Sequence, residues 1–103
     1  QVILNLIKNA VAALGGRSDG WIRIKARYDQ EKNVTIEVAN NGAPIPPEVA
    51  EQIFVPFFTT KATGSGIGLS LSRQIIRMHG GELSVASLPY RETCFTVSLP
   101  VKS

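Results

Sequence analysis

The sequence predicts an α+β fold, a two-layer α/β sandwich in which helices pack on one face of a mostly antiparallel sheet. Two segments carry apolar residues at helical spacing, and most other regular segments alternate apolar and polar residues as half-buried strands do. The strands come in pairs with short connections, which favours antiparallel pairing and leaves one sheet face for the helices. A chain of 103 residues, 44% of them hydrophobic and 18% charged, is expected to form a single domain over 1–103.

The first half of the chain is predicted to form a helix and a pair of strands. Apolar residues recur at helical spacing over 2–14, and Gly15-Gly16 ends that helix. A β-rich run over 21–29 and an alternating strand over 34–38 are joined by a polar connection suited to a hairpin. No capping residue precedes the helix, so the chain is expected to be an N-terminally truncated piece of a longer protein.

The second half is predicted to contain a short helix, a loop, a longer helix and two more strands. Prolines in the first turn favour a short helix over 46–52, whereas 54–66 shows no clear period and is expected to be a loop. A second amphipathic helix is predicted over 67–79, where a Gly-Gly pair follows it. Strands over 82–88 and 93–99 complete the order α-β-β-α-loop-α-β-β.

Composition and charge exclude several classes of protein. A net charge of +3 is too small to indicate a nucleic-acid partner, and the lone Cys94 excludes a disulfide framework or a multi-cysteine zinc site. No apolar run approaches the ~18 residues of a membrane span, and no basic leader opens the chain. The fragment is therefore expected to be cytoplasmic, without direct membrane contact. Residues 52–81 include no Asp or Glu but contain Lys61, Arg73 and Arg77, which suits an anionic ligand.

Asn5 and Asn9 stand four residues apart in the first helix, so their carboxamides project from one face. Asparagine is a poor residue for a helix interior, and two of them at this spacing work against local propensity. Isolated asparagines of this kind are more often capping or solvent-facing residues. Residues that break local rules nevertheless occur most often at functional sites, and an amide oxygen suits Mg²⁺ when phosphates supply the negative charge.

Three further segments each allow a structural and a functional interpretation. Asn40-Asn41-Gly42 ends a strand and, taken alone, is best interpreted as a turn. Residues 54–61 carry three of the four phenylalanines, either as a plug for the core or as a mobile lid over a ligand. The glycine-rich segment 64–70 opens a helix whose free N–H groups suit an anion, although it matches neither the dinucleotide fingerprint nor the phosphate-binding loop.

The order of four motifs is more specific than any one of them. Asn-Leu-Ile-Lys-Asn-Ala, Asn-x-Gly, Phe-x-Pro-Phe-Phe-Thr-Thr-Lys and Gly-x-Gly-x-Gly-Leu-Ser follow one another as the N, G1, F and G2 boxes do in sensor histidine kinases. Over nearly its whole length the chain resembles the catalytic and ATP-binding domain of that family. The resemblance implies the Bergerat fold shared with the gyrase B subunit, which agrees with the predicted α+β sandwich.

The resemblance implies that the chain binds ATP with Mg²⁺, with Asn9 coordinating the metal and with Asn5 and Lys61 as catalytic residues. Members of the superfamily that hydrolyse ATP or phosphorylate serine carry Glu at the position of Asn5 as a general base. A neutral imidazole is already a nucleophile, so Asn5 favours transfer to histidine over hydrolysis. The nucleotide-binding residues implied by the four boxes are Asn5, Lys8, Asn9, Asn40, Gly42, Ile45, Phe54, Phe58, Thr59, Thr60, Lys61, Gly64, Ser65, Gly66, Ile67, Gly68 and Leu69.

The G1 segment departs from the family pattern at two positions. The family usually has an Asp that accepts a hydrogen bond from the adenine amino group where this chain has Asn40, and a second glycine where it has Pro44. An amide oxygen can still accept that bond and the amide nitrogen can donate to N1 of the ring, but charge assistance of ~1 kcal/mol is lost. Weaker nucleotide binding and a smaller preference for ATP over GTP are therefore expected.

The implied function is transfer of the γ-phosphoryl group of ATP to a histidine on a separate, dimeric helical phosphoacceptor domain of the parent chain. His79, the only histidine here, lies ~16 Å from Gly68 along a straight helix, so the fragment is not expected to phosphorylate itself. A response regulator receiver domain is the implied downstream partner, and any membrane anchor would belong to other parts of the parent. The alternative is a non-catalytic nucleotide-sensing or docking module of the same fold, whereas Asn5 disfavours an ATPase or a serine kinase.

Overall fold

The computed structural model describes residues 2–28, 33–42, 45–46, 48, 50, 52–55, 68–88 and 92–100. None of the helices in these ranges has the length and apolar character needed to span a membrane. The short helix predicted over 46–52 falls partly outside the described residues. The described elements are α1 (Val2–Leu14), β1 (Ile22–Tyr28), β2 (Asn33–Asn40), a 3-10 turn (Gln52–Phe54), α2 (Gly68–Met78), β3 (Glu82–Leu88) and β4 (Glu92–Pro100).

The four strands form one sheet in the order β1-β2-β4-β3, and every neighbouring pair is antiparallel. Strands that are consecutive in the chain pair with each other, and β2 and β4 join the two pairs. α1 packs against β2, α2 packs against β3, and the two helices contact each other. The structure therefore confirms the predicted α+β sandwich, an antiparallel sheet with helices on one face.

The register aligns the core-facing residues of β2, β4 and β3 in rows across the sheet. The helices cover these rows with the buried side chains of Leu6, Ala10, Leu69 and Ile76. Alternation of side chains along each strand keeps every second residue on this covered face. Two of the rows are entirely apolar, Ile36–Val97–Leu83 and Val38–Phe95–Val85.

The C-terminal end of α2 is a Schellman motif, as the Gly-Gly stop in the sequence predicts. Gly80 has a φ of +81°, and its N–H donates to the Arg77 carbonyl at 3.0 Å. The N–H of Gly81 donates to the Ile76 carbonyl, also at 3.0 Å. These two bonds satisfy carbonyl groups that a helix end otherwise leaves unpaired. His79 lies exposed within this cap, which agrees with a structural position for it.

Glu82, the first residue of β3, ties the sheet to α2. Its carboxylate accepts hydrogen bonds from Arg77 Nε at 3.1 Å and from Arg73 Nε at 3.4 Å, and Oε1 also accepts the Leu83 N–H at 3.0 Å. The bond from Arg77 is the main reason that the pKa of the Glu82 carboxyl lies below its usual value. Because Glu82 and Arg77 are exposed, these contacts orient the helix more than they stabilise the fold.

Candidate functional site

One end of the covered sheet face is polar. The third row across β2, β4 and β3 consists of Asn40, Thr93 and Ser87, directly beyond the apolar rows. Asn40 is 1% exposed and Thr93 is 2% exposed. The hydroxyl groups of Ser87 and Thr93 lie 2.9 Å apart, and Ser87 Oγ accepts the Ile45 N–H at 3.0 Å. Hydrogen bonds offset the cost of burying these groups, and the row contains Asn40, the residue that the sequence predicts to contact the nucleotide base.

The turn that follows β2 orients the Asn40 carboxamide. Asn40 Oδ1 accepts the backbone N–H of Gly42 at 2.8 Å. Only the oxygen of an amide accepts such a bond, so the bond itself identifies which atom is Oδ1 and which is Nδ2. From the sequence, this oxygen is expected to accept a hydrogen bond from the adenine amino group. In the structure one lone pair of this oxygen accepts the Gly42 N–H, and Nδ2 forms the other edge of the amide.

Gly42 allows the same turn to lie against the C-terminal end of α1. A Cβ atom added to Gly42 would overlap the Ala13 carbonyl group and the Leu14 nitrogen. The position therefore requires glycine for close packing, and its φ lies outside the left-handed region. Through this contact the turn after β2 and the asparagine-bearing helix α1 are brought together, as a shared site requires.

Asn41 faces the connection between α1 and β1. Its Oδ1 accepts the Trp21 N–H at 2.8 Å, and its Nδ2 donates to the Asp19 carbonyl at 3.0 Å. Arg17 donates to the Asn41 carbonyl and, at 3.2 Å, to each carboxylate oxygen of Asp19, which lowers the pKa of the Asp19 carboxyl. The sequence predicts Asn41 only as a turn residue. Its partners lie 20 and 22 residues away, so no local pattern reveals them.

On α1, Asn9 carries a buried acceptor. The residue is 7% exposed, and its Nδ2 donates to the Asn5 carbonyl one turn earlier at 2.8 Å. Asn9 Oδ1 is buried and has no hydrogen-bond partner in the part of the chain that the structure describes. An unpaired acceptor of this kind costs about 1–3 kcal/mol. The oxygen is therefore suited to a ligand that supplies a hydrogen-bond donor or a cation.

Asn5 joins α1 to α2. Its Nδ2 donates to Ser72 Oγ at 3.3 Å, and Ser72 is fully buried. Ser72 is not among the site residues predicted from the sequence, although one feature of the sequence points to it. Ser72 stands between Leu69 and Ile76 on the apolar stripe of α2, where a polar residue breaks the helical pattern.

The remaining predicted site residues divide into three groups. Ile45, Phe54 and Leu69 have side chains in the hydrophobic core, and the Phe54 ring lies 4.2 Å from the Arg73 guanidinium. Lys8 is exposed on α1, and Gly68 is the first residue of α2. The others lie outside the described residues: Phe58, Thr59, Thr60, Lys61, Gly64, Ser65, Gly66 and Ile67.

The chemistry of Asn9 Oδ1 fits Mg²⁺ accompanied by an anionic ligand. Among the described residues, no group of three or more His, Cys, Asp or Glu lies close enough together to hold a metal ion. A cation beside Asn9 would have a neutral amide ligand and would receive its negative charge from a bound polyphosphate. Mg²⁺ commonly binds in this way, with few protein ligands and with phosphate oxygens of the substrate.

A family model described as "Histidine kinase-, DNA gyrase B-, and HSP90-like ATPase" matches residues 1–103. The signal transduction histidine-protein kinase AtoS of Escherichia coli K12 is 45% identical over 101 residues. The aligned region is 98% of this chain but only 16% of AtoS, so the chain spans a small part of that relative.

Solved structures of histidine kinases share the fold. The nucleotide-free catalytic domain of histidine kinase ThkA is 40% identical, with a TM-score of 0.82, and the match covers 97% of this chain and 64% of that one. ThkA in complex with response regulator protein TrrA matches at 38% identity and a TM-score of 0.80, covering 99% and 28% of the chains. Full-length ShkA in complex with AMPPNP is 25% identical, with a TM-score of 0.84 and coverage of 96% and 20%.

Proposed function

The chain belongs to the family of histidine kinase-, DNA gyrase B- and HSP90-like ATPases, and from this premise we propose that it is the ATP-binding catalytic domain of a sensor histidine kinase. In this proposal it binds ATP with Mg²⁺ and transfers the γ-phosphoryl group to a histidine on a helical phosphoacceptor domain of the parent chain. A response regulator receiver domain then takes the phosphoryl group from that histidine. By analogy, the complex of ThkA with response regulator TrrA supports the downstream partner, and the complex of ShkA with AMPPNP supports a nucleotide ligand.

The single observation that carries the proposal is the buried Oδ1 of Asn9, which has no hydrogen-bond partner among the residues that the structure describes. Its amide cannot rotate freely, because Nδ2 is held by the Asn5 carbonyl at 2.8 Å. The helix therefore presents one oxygen in one direction before any ligand arrives. Such preorganisation lowers the cost of binding, since the ligand does not have to order the side chain.

In the proposed site, Asn9 holds Mg²⁺ through Oδ1, and the metal neutralises charge on the triphosphate when it is bound. Asn5 has a different role, because its amide donates to Ser72 and has no basic group to accept a proton. This suits transfer to an imidazole. The imidazole nitrogen attacks the γ-phosphorus while the bond to the β–γ bridging oxygen breaks, and ADP leaves with those electrons.

The base of the nucleotide is proposed to lie at the polar row of Asn40, Thr93 and Ser87. Ile45, whose N–H is bonded to Ser87, supplies an apolar contact for the ring. At the phosphate end, Lys61, Thr59 and Thr60 would belong to a lid, and the glycines of segment 64–68 would let the backbone approach the phosphates. These last residues are assigned by family resemblance.

Isothermal titration calorimetry with ATP, in Mg²⁺ and then in EDTA, tests the proposal. We expect binding that requires Mg²⁺. Asn9→Asp should weaken it about tenfold or more, because the variant loses the donor to the Asn5 carbonyl and adds a charge beside the phosphates. Gln74→Glu is the matched control, since it also converts an amide to a carboxylate but lies exposed on α2. Its affinity should equal that of the wild type.

Two results would contradict the proposal. One is the absence of heat at millimolar ATP and Mg²⁺ for a sample whose circular dichroism shows the folded domain. The other is ATP binding of equal strength in Mg²⁺ and EDTA that Asn9→Asp leaves unchanged. The second result would contradict the proposed metal site but not a nucleotide site, so the two failures are distinguishable.

A further inference from the structure

The three side chains of the polar row share one chemical property. A carboxamide and two hydroxyl groups each contain both a hydrogen-bond donor and an acceptor. Asn40 and Thr93 are almost fully buried, and none of the three residues is a carboxylate. A carboxylate would present acceptors alone. A row of amide and hydroxyl groups can instead pair with either a donor or an acceptor on a ligand.

The bond from Gly42 sets the orientation of the Asn40 amide, which has a donor edge as well as an acceptor edge. Because Oδ1 accepts the Gly42 N–H at 2.8 Å, Nδ2 is the edge directed elsewhere. An Asp at the same position would keep one oxygen on Gly42 and present a second oxygen. The presence of Asn instead of Asp at position 40 therefore replaces an acceptor by a donor at one point of the site.

From this we infer that the base site does not select 6-aminopurines over 6-oxopurines, an inference that rests on the proposed nucleotide-binding function. The 6-amino group of adenine is a donor, whereas O6 of guanine or hypoxanthine is an acceptor. Asn40 Nδ2 donates to O6 of a 6-oxopurine without any change in the Gly42 bond. For adenine the same nitrogen donates to the ring nitrogen N1, and the hydroxyl groups of Thr93 and Ser87 adapt to either base.

Binding of ATP and of inosine triphosphate provides the test. The two bases differ only in the 6-substituent and in the proton on N1, so their affinities isolate this edge of the purine. Calorimetry in excess Mg²⁺ should give dissociation constants within about threefold of each other for the wild type. Asn40→Asp should favour ATP by about tenfold or more, because its second oxygen accepts the amino group and repels O6. Gln74→Glu should leave the wild-type ratio unchanged.

The wild-type ratio needs no variant, so the inference is testable even if Asn40→Asp does not fold. A wild-type preference for ATP of about tenfold or more would overturn it while leaving the proposed function intact. An equal loss of both affinities in Asn40→Asp, with an unchanged ratio, would also overturn it, because Asn40 would then not contact the base. Failure of both triphosphates to bind the folded wild type would contradict the proposed function itself and the inference with it.

Discussion

Asn40 and Asn41 are consecutive in the chain, yet their carboxamides act on opposite sides of the turn after β2. Asn40 faces the core and accepts the Gly42 N–H, whereas Asn41 faces outward and accepts the Trp21 N–H. In both residues the oxygen is used on a backbone donor, which is what keeps a short polar turn in one conformation. The turn is therefore held from two sides, independently of any ligand.

Replacing Asn41 by Ala should loosen this turn without changing the inward-facing amide. The variant loses hydrogen bonds to Trp21 and Asp19, so we expect the free energy of unfolding to fall by about 1–2 kcal/mol. Urea unfolding monitored by the fluorescence of Trp21, the single tryptophan, measures the change. Ser18→Ala is the control because Ser18 is exposed in the same connection. Equal midpoints for Asn41→Ala and Ser18→Ala would show that the Asn41 bonds contribute nothing.

At the scale of elements, glycines with positive φ follow both described α-helices. Gly15 and Gly16 follow α1 with φ values of +58° and +82°, and Gly80 follows α2 with +81°. Left-handed residues at these points reverse the chain abruptly. The reversal after α2 leads directly into Glu82, which returns to Arg77 of the same helix. The C-terminal end of α2 is therefore bonded to the first residue of β3.

Gly80→Ala should destabilise the domain by about 1 kcal/mol, because a Cβ atom disfavours the left-handed conformation. Space is not the reason. The nearest atom to such a Cβ is Cγ of Pro100 at 3.4 Å, an ordinary contact distance. Gly80→Asn is the matched comparison, since asparagine tolerates this conformation better, and it should lose less than Gly80→Ala. Thermal unfolding of the three proteins checks the order, and equal losses in both variants would contradict the backbone explanation.

At the scale of the whole molecule, the one histidine of the chain is badly placed to receive a phosphoryl group. His79 is exposed at the end of α2, opposite the end that begins at Gly68. Eleven residues of helix correspond to ~16 Å, whereas in-line transfer requires a separation of roughly 3–3.5 Å. A histidine on another domain must supply the nucleophile in the proposed reaction.

The isolated chain should therefore give no acid-labile phosphoprotein when incubated with γ-labelled ATP and Mg²⁺. Adding the helical domain of the parent protein in trans should produce label on that domain. Acid-labile label that His79→Gln removes from the isolated chain would contradict the proposed arrangement. ATP binding without transfer to the added domain would instead favour the alternative of a non-catalytic nucleotide-sensing or docking module.

The sequence by itself determined the elements and the fold class. The helical spacing over 2–14 and the Gly-Gly stop predicted α1 correctly, and α2, described over Gly68–Met78, lies within the predicted range 67–79. Paired alternating segments predicted an antiparallel sheet. These features are local, because the period of apolar residues and the conformation of glycine are properties of short segments. The four ordered motifs likewise identified the family that the match over 1–103 supports.

Only the tertiary structure decided which side chains meet. The pairing of β2 with β4 sets Asn40 beside Thr93, and the contact between the helices joins Asn5 to Ser72, 67 residues later in the chain. The orientation of the Asn40 amide depends on the Gly42 N–H, and Asn9 Oδ1 is buried without a hydrogen-bond partner among the described residues because of how the whole chain folds. Strand register and helix contacts are set by the packing of the whole core, so no local pattern in the sequence contains them.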